Sequence, residues 1–191
     1  MSLRRLLSLP ALVLALTVPT LAATPGVTDR APDFTLPTPG GAAVQLSSLT
    51  ASSRVVLIVL RGYPGYQCPY SLQQFNDFQQ FAAQFAALGT QILFVYPGTS
   101  SNLASEAGAF APASAMPGNV HLVIDPDFAV TNLYGLRWKA PGETAYPSTF
   151  IIEKDRSIFS VKVGNSHGDH PTAADTLAAL NGDTPANKEQ P

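Results

Sequence analysis

Cysteine is almost absent from this chain: Cys68 is the only one in 191 residues. A single thiol excludes a disulfide within the chain and any zinc or iron–sulfur site built from several cysteines of one chain. Methionine is scarce too, at two residues, which leaves a methionine-rich copper site poorly supported. A lone thiol can still be a reactive group, a link to another molecule, or a small buried core residue.

An excess of positive charge is also lacking. Charged residues make up 13% of the chain, and the formal net charge is −2. Binding of nucleic acid or of an anionic membrane surface needs basic patches, so we expect neither partner. No internal repeat is visible, and Gly40-Gly41 lacks the strand–loop–helix context of a phosphate-binding loop. We therefore expect no cofactor and no metal.

The N-terminal residues 1–22 have the pattern of a secretory signal peptide. Arg4 and Arg5 precede a mostly apolar run at residues 6–21, and Thr20-Leu21-Ala22 offers a cleavage site. The alternative is an uncleaved anchor, but the run is short for a membrane-spanning helix of about 20 residues. The sequence thus predicts a periplasmic or secreted protein of bacterial type, without membrane contact after cleavage.

The remaining chain predicts one domain at residues 31–182, between a linker at 23–30 and a polar tail at 183–191. Apolar and alternating stretches predict strands at residues 33–36, 44–46, 55–60, 91–96, 120–124, 148–153 and 158–163. Helical periodicity predicts helices at residues 72–88, 103–110, 128–133 and 172–180. We expect Pro97-Gly98 to end the fourth strand. Helices alternating with strands, followed by a closing hairpin, indicate an α/β fold whose mixed sheet is covered by helices on both faces.

The region around Cys68 is the strongest candidate site. The cysteine follows a buried strand and a glycine-containing loop, and Pro69 suits the first position of the next helix. Free N–H groups and partial positive charge at that helix start favour the thiolate, which is the reactive form. Arg61, just after the strand, can fold back toward the thiolate. The alternative is a structural buried cysteine.

Ser71 stands three residues after Cys68, where a redox-active pair would have its second cysteine. A hydroxyl there can donate a hydrogen bond to the thiolate, but it cannot form the disulfide that a second sulfur would form. A plain serine in the first helical turn explains the residue equally well.

Three stretches resemble the peroxiredoxin (alkyl hydroperoxide reductase/thiol-specific antioxidant) branch of the thioredoxin-like superfamily: APDFTL at residues 31–36, CPY at 68–70 and PSTFIIEKD at 147–155. The stretch RGYPGYQCPY at 61–70 resembles a subgroup that usually continues to a second cysteine. The resemblance implies a thioredoxin-like fold and a one-cysteine thiol peroxidase. It further implies a peroxide substrate, an external thiol reductant, and a homodimer as an open possibility.

The chain departs from the family pattern at three positions. Three residues before the cysteine, where the family has threonine or serine, this chain has Gly65. Seven residues before it, where the family has proline, this chain has Arg61. The arginine before the Ser-Thr-Phe strand is replaced by Pro147, which resembles the cis-proline facing the active-site cysteine of thioredoxins. We therefore expect a cis Tyr146–Pro147 bond, with an ordinary strand-edge proline as the alternative. Arg61 or Arg137 could supply the missing guanidinium.

Two further groups of polar residues lie outside the Cys68 region. His167-Gly168-Asp169-His170 is the only His/Asp cluster, but a metal needs three or four converging ligands, so we predict a polar loop capping the last helix. Asp125-Pro126-Asp127 reads as a turn leading into a helix.

The sequence leaves two other functions open. One is a monothiol thioredoxin-like protein that exchanges disulfides with partners, and the other is a redox-silent thioredoxin-fold binding module.

Overall fold

The computed structural model of the chain describes residues 23–99, 101–112 and 115–182. The predicted signal peptide and the predicted tail therefore lie outside the described residues. The strands are β1 (Thr35–Pro37), β2 (Ala43–Gln45), β3 (Arg54–Val59), β4 (Thr90–Gly98), β5 (Val120–Pro126), β6 (Ser148–Ile152) and β7 (Ile158–Val163). The helices are α1 (Leu46–Thr50), α2 (Pro69–Gln80), α3 (Ala82–Ala87), α4 (Leu103–Phe110), α5 (Ala129–Leu133) and α6 (Ala173–Leu180).

Five strands form one mixed sheet in the order β5-β4-β3-β6-β7. The first three are parallel, while β6 runs antiparallel to both β3 and β7. Strands β1 and β2 form a separate antiparallel hairpin. The predicted mixed α/β sheet is therefore confirmed, and the unbroken apolar run of β3 is explained by its central place between β4 and β6.

Alternate side chains of β3 enter two different hydrophobic layers. Val56 and Ile58 pack in a cluster with residues of α2, α3, α4 and α6, whereas Val55 and Leu57 pack with the β1–β2 hairpin and α5. Helices thus cover both faces, as predicted. Among the described residues no helix is both long and apolar enough to cross a membrane.

The periodic stripe at residues 72–88 does not form the single helix that it predicts. The helix begins at Pro69, the first helical position indicated by the sequence, but it divides at Phe81, whose backbone angles of φ −96° and ψ 2° leave the helical range. Phe78 and Phe85, on either side of the break, are both buried, and their rings stack at 5.5 Å. Packing of these rings against the sheet accompanies the break, although the sequence contains no helix-breaking residue there.

The prediction that Pro97-Gly98 ends the fourth strand is also wrong, because β4 includes both residues. Pro97 lies opposite Asp125 of β5. Its carbonyl accepts a hydrogen bond from the Tyr63 N–H at 2.9 Å. Proline lacks a donor but keeps its acceptor, so the strand continues to the edge of the Cys68 loop.

Candidate active site

Cys68 is the N-cap residue of α2, and Pro69 is the first helical residue, as predicted. The side chain is 2% exposed and the thiol is free. The Cys68 carbonyl accepts the first helical hydrogen bond, from Leu72 N at 3.1 Å. Cys68 thus lies at the end of the helix where N–H groups lack intrahelical partners and partial positive charge accumulates, and its side chain accepts no capping hydrogen bond in this structure.

The loop before Cys68 is fixed to the neighbouring strand. Gly62 has φ +74°, and a Cβ there would lie 2.0 Å from the Pro97 carbonyl oxygen, so only glycine fits this turn. Farther along, Gln67 accepts a hydrogen bond from the Tyr96 hydroxyl at 2.6 Å and donates one to the Glu106 carbonyl at 3.0 Å. These contacts anchor the residue before the thiol to β4 and α4.

Arg61 is almost completely buried, with 2% of its side chain exposed. One edge of the guanidinium is occupied: Nε donates to Glu143 Oε2 at 2.8 Å, and Nη2 donates to the Gly142 carbonyl at 2.7 Å. The guanidinium carbon lies 5.0 Å from the centre of the exposed Tyr66 ring, within cation–π range. The remaining nitrogen, Nη1, is buried without a hydrogen-bond partner.

The charge state of Arg61 links it to the thiol. Burial opposes its charge, but interactions with the side chains of Glu143, Tyr66 and Cys68 outweigh that cost and raise the pKa of Arg61 above its ordinary value. Arg61 is therefore a permanent cation beside Cys68. Its fold back toward the cysteine agrees with the sequence-based expectation.

Glu143 and His167 complete this cluster, and neither was recognised as a partner of Arg61 from the sequence. His167 Nε2 lies 3.0 and 3.1 Å from the two carboxylate oxygens of Glu143. Burial acts against the carboxylate, but hydrogen bonds from Arg61 and His167 more than compensate and lower the pKa of Glu143. A buried arginine implies an acidic partner, but nothing in the sequence selects one among 13 acidic residues.

Arg137, the second candidate for the missing guanidinium, serves the loop that carries Glu143. Its Nη1 donates to the carbonyl oxygens of Trp138, Glu143 and Thr144, and its guanidinium lies 4.0 Å from the Phe128 ring centre. These bonds close the loop at its base. The structure gives Arg137 no contact with Cys68.

Ser71 is buried in the first turn of α2, but no hydrogen bond joins its hydroxyl to Cys68. The proposed donation to the thiolate therefore remains a prediction for the ionised state.

Pro147 is buried and directly precedes β6. The expected cis bond is wrong, because no peptide bond among the described residues is cis. Ser148 is paired with Val59, so continuing this register places Pro147 beside Leu60, the residue before Arg61. Pro147 enters the antiparallel ladder of β6, and its carbonyl accepts a hydrogen bond from Gly164 N at 2.8 Å.

The His/Asp cluster near the C-terminus is divided between different partners. His167 contacts Glu143, whereas Asp169 pairs with Lys162 at 3.0 Å. The cap of α6 is formed by Thr172 and Asp175 rather than by the cluster, so the capping prediction is wrong. In the described ranges no three His, Cys, Asp or Glu side chains are grouped as metal ligands.

Asp125 has a structural role. It is fully buried and accepts hydrogen bonds from Val130 N, Thr131 N and the Thr131 hydroxyl. These bonds fix the start of α5, as the turn reading predicted.

Comparison with known proteins agrees with this architecture. The model of the AhpC/TSA family matches residues 27–161. The fold is similar to that of the peroxidoxin BcpB from Mycobacterium tuberculosis, with 23% identity, a TM-score of 0.66, and coverage of 83% of this chain and 97% of that one. No curated protein matched the sequence.

Two further solved structures have the same fold. The mitochondrial 2-cys peroxiredoxin from Plasmodium falciparum is 19% identical, with a TM-score of 0.62 and coverage of 86% of this chain and 99% of that one. A candidate thiol:disulfide interchange protein DsbE from Chlorobium tepidum is 25% identical, with a TM-score of 0.58 and coverage of 82% and 99%.

Proposed function

Because the chain belongs to the AhpC/TSA family, we propose that it is a thiol peroxidase of one-cysteine type in which Cys68 reduces a hydroperoxide. The observation that carries the proposal is a buried cation, Arg61, which interacts with the side chain of the only cysteine at the start of a 12-residue helix and keeps one donor nitrogen free. Such an arrangement stabilises a thiolate and the negative charge that develops on a reacting oxygen.

The first step oxidises the sulfur. The Cys68 thiolate attacks one peroxide oxygen, an S–O bond forms, and the O–O bond breaks. Both electrons of that bond leave with the second oxygen, which takes a proton from solvent and departs as water or an alcohol. The sulfur becomes a sulfenic acid, oxidised by two electrons.

Arg61 is proposed to stabilise the negative charge that develops on the departing oxygen during this step. Its occupied edge is held by Glu143 and Gly142, while Nη1 keeps two N–H groups for an oxygen acceptor. We also assign Pro147 and Ser71 to the walls of this site, because Pro147 precedes the strand that pairs with β3 and Ser71 lies in the first turn of the helix that Cys68 caps. Since the thiol is 2% exposed, we expect small hydroperoxides to react faster than bulky ones.

An external thiol completes the cycle, because the chain has no second cysteine. A first thiol condenses with the sulfenic acid, giving a mixed disulfide and water. A second thiol attacks the mixed disulfide, releases Cys68, and leaves as the oxidised disulfide.

The test is mass spectrometry of the protein after graded hydrogen peroxide in the presence of dimedone, with Cys68→Ser as the control. We expect one dimedone adduct on the peptide holding Cys68 and none on the control. Reaction with neither peroxide nor disulfide would contradict the proposal and leave a binding module.

Thiol–disulfide exchange is the second candidate, and the similarity to the DsbE structure favours it. It predicts rapid formation of a mixed disulfide between Cys68 and a disulfide-containing test peptide, without a dimedone adduct. Mass spectrometry of the peptide holding Cys68 distinguishes the two functions, because a dimedone adduct and a mixed disulfide differ in mass.

We also propose that the reaction takes place outside the cytoplasm, on the basis of the signal-like residues 1–22. Cell fractionation of a C-terminally tagged chain should recover it in the periplasm or the medium. Its N-terminus should begin at or near Ala23, whereas an intact Met1 in the cytoplasmic fraction would contradict this location.

A further inference from the structure

Two of the three guanidinium nitrogens of Arg61 donate hydrogen bonds to one loop, and the third donates none. A guanidinium has five N–H groups, and here Nε and Nη2 bind one loop while Nη1 is left without a partner. Bonding along one edge fixes the rotation of the planar group, which a single contact would not do. The free nitrogen therefore has a defined direction.

The loop that binds this edge is itself held in place. Arg137 ties it through three carbonyl oxygens, and the Glu143 N–H donates to the Ala140 carbonyl at 3.1 Å. These bonds fix the backbone of Glu143. The orientation of the Glu143 side chain still needs a partner beyond Arg61.

His167 is that partner. Its Nε2 lies within 3.1 Å of both carboxylate oxygens, and the edge of its ring meets Trp138 at 5.4 Å between ring centres. Trp138 in turn stacks on Tyr146 at 4.7 Å. The carboxylate is consequently bound between a cation on its inner side and an imidazole on its outer side.

We propose that Glu143 is a positioning residue for the Cys68 site, which acts through Arg61 and is itself oriented by His167. Glu143 does not touch the thiol; it fixes the guanidinium so that Nη1 remains available beside Cys68. The proposal rests on the proposed role of Cys68 as the reacting thiol, but it does not depend on which oxidant reacts.

Neutralisation of Arg61 is the competing explanation for this pair. If Glu143 merely cancelled the positive charge, its removal would strengthen the field of Arg61 at the thiolate and speed the reaction. If it positions Arg61, its removal frees the guanidinium to rotate and slows the reaction. The two explanations therefore predict opposite signs.

The test is a double-mutant cycle of Arg61→Met and Glu143→Ala, with the rate of Cys68 reaction measured for hydrogen peroxide and, separately, for iodoacetamide. We expect Glu143→Ala to lower both rates about tenfold in the wild-type background. In the Arg61→Met background the same change should have almost no effect, because there is no guanidinium left to position. Additive effects, or faster reaction of Glu143→Ala, would overturn the proposal.

Glu143→Gln serves as the conservative rescue. Its amide oxygen can still accept from Arg61 Nε, so we expect most of the wild-type rate to be kept. Loosened packing is distinguished by direction, because a more exposed Cys68 would be alkylated faster rather than slower. Equal losses in Gln and Ala variants would count against positioning by this hydrogen bond.

His167→Ala should have a smaller effect than Glu143→Ala, since the Arg61–Glu143 bond remains; a larger effect would contradict this order. Glu153→Ala is the matched control, because Glu153 pairs with Arg54 far from the thiol.

If wild type reacts with iodoacetamide but not with peroxide, the peroxidase function fails while the coupling can still be measured. If peroxide reacts equally in all variants, the function stands and the positioning role fails.

Discussion

Two arginine–glutamate pairs lie at the two ends of β3 and have nearly the same geometry. Arg54 Nε is 2.9 Å from Glu153 Oε2, and Arg61 Nε is 2.8 Å from Glu143 Oε2. Their exposure differs: the side chains are 38% and 27% exposed in the first pair, but 2% and 14% in the second. The same contact is thus a partly exposed salt bridge between Arg54 and Glu153 at one end of the strand and a mostly buried one between Arg61 and Glu143 at the other.

Burial decides what each pair can do. An exposed pair gains little, because water screens the charges and two long side chains lose freedom. A buried pair costs desolvation when it forms, and removing one partner leaves a charge without compensation. The Arg61 pair is therefore weak evidence of stability by itself, and its burial is the feature on which the proposed role of Arg61 at Cys68 rests.

The largest expected effect is the difference in stability loss between removing Glu143 and removing Glu153. Glu143→Ala should lower the free energy of unfolding by about 3 kcal/mol, because Arg61 stays buried without its carboxylate. Glu153→Ala should cost less than about 1 kcal/mol. Urea denaturation of both variants and of wild type measures the difference.

The outcome for the Arg61 pair can be cross-checked with Arg61→Met, which removes the charge and keeps an apolar side chain. We expect this variant to be closer to wild type in stability than Glu143→Ala. Equal costs for Glu143→Ala and Glu153→Ala would show that burial does not separate the pairs.

The second effect concerns chemistry. Arg61→Met should slow oxidation of Cys68 by peroxide about tenfold or more, because the site loses the cation that stabilises developing negative charge. Arg54→Met, at the opposite end of the same strand, should leave the rate within about twofold. Stopped-flow measurement of sulfenic acid formation gives both rates.

Sequence patterns located the strand, the thiol and the helix, because each signal is local: a buried apolar run, a helix-starting proline and a periodic stripe. They did not find the partner of Arg61. Glu143 lies 82 residues away on a loop without periodicity, and only the approach of that loop to the end of β3 joins the two.

The errors in the predicted helix and in the predicted end of β4 have the same origin. The break at Phe81 involves no glycine or proline, so intrinsic propensity predicts a continuous helix. Pro97 stays in β4 since β5 and the Tyr63 N–H supply partners that lie far away in sequence. The bond before Pro147 is trans, and the expectation of a cis bond came from the resemblance to thioredoxins rather than from a local pattern. The helix and strand errors reflect tertiary contacts that a local pattern does not contain.

Acid should reveal the third effect. The folded protein lowers the pKa of Glu143, so its contribution to stability is fully present above its ordinary value of 4.5 and is lost as the pH falls through the lower folded value. The stability gap between wild type and Glu143→Gln should therefore shrink as the pH falls from about 6 to about 3. Urea denaturation across this range measures the gap, and a constant gap would contradict the assignment.

Salt should give the smallest effect and the sharpest contrast between the ends of β3. The coupling energy of Arg54 with Glu153 is expected to be about 0.5 kcal/mol at low salt and to approach zero in 1 M NaCl, where the Debye length is about 3 Å. The coupling of Arg61 with Glu143 should change much less, because side chains that are 2% and 14% exposed give ions little access to the pair. Double-mutant cycles in urea, which carries no charge, measure both couplings at the two salt concentrations. A loss of the Arg61 coupling in salt would mean that solvent ions enter the site, and burial would then not explain the proposed role of this arginine at Cys68.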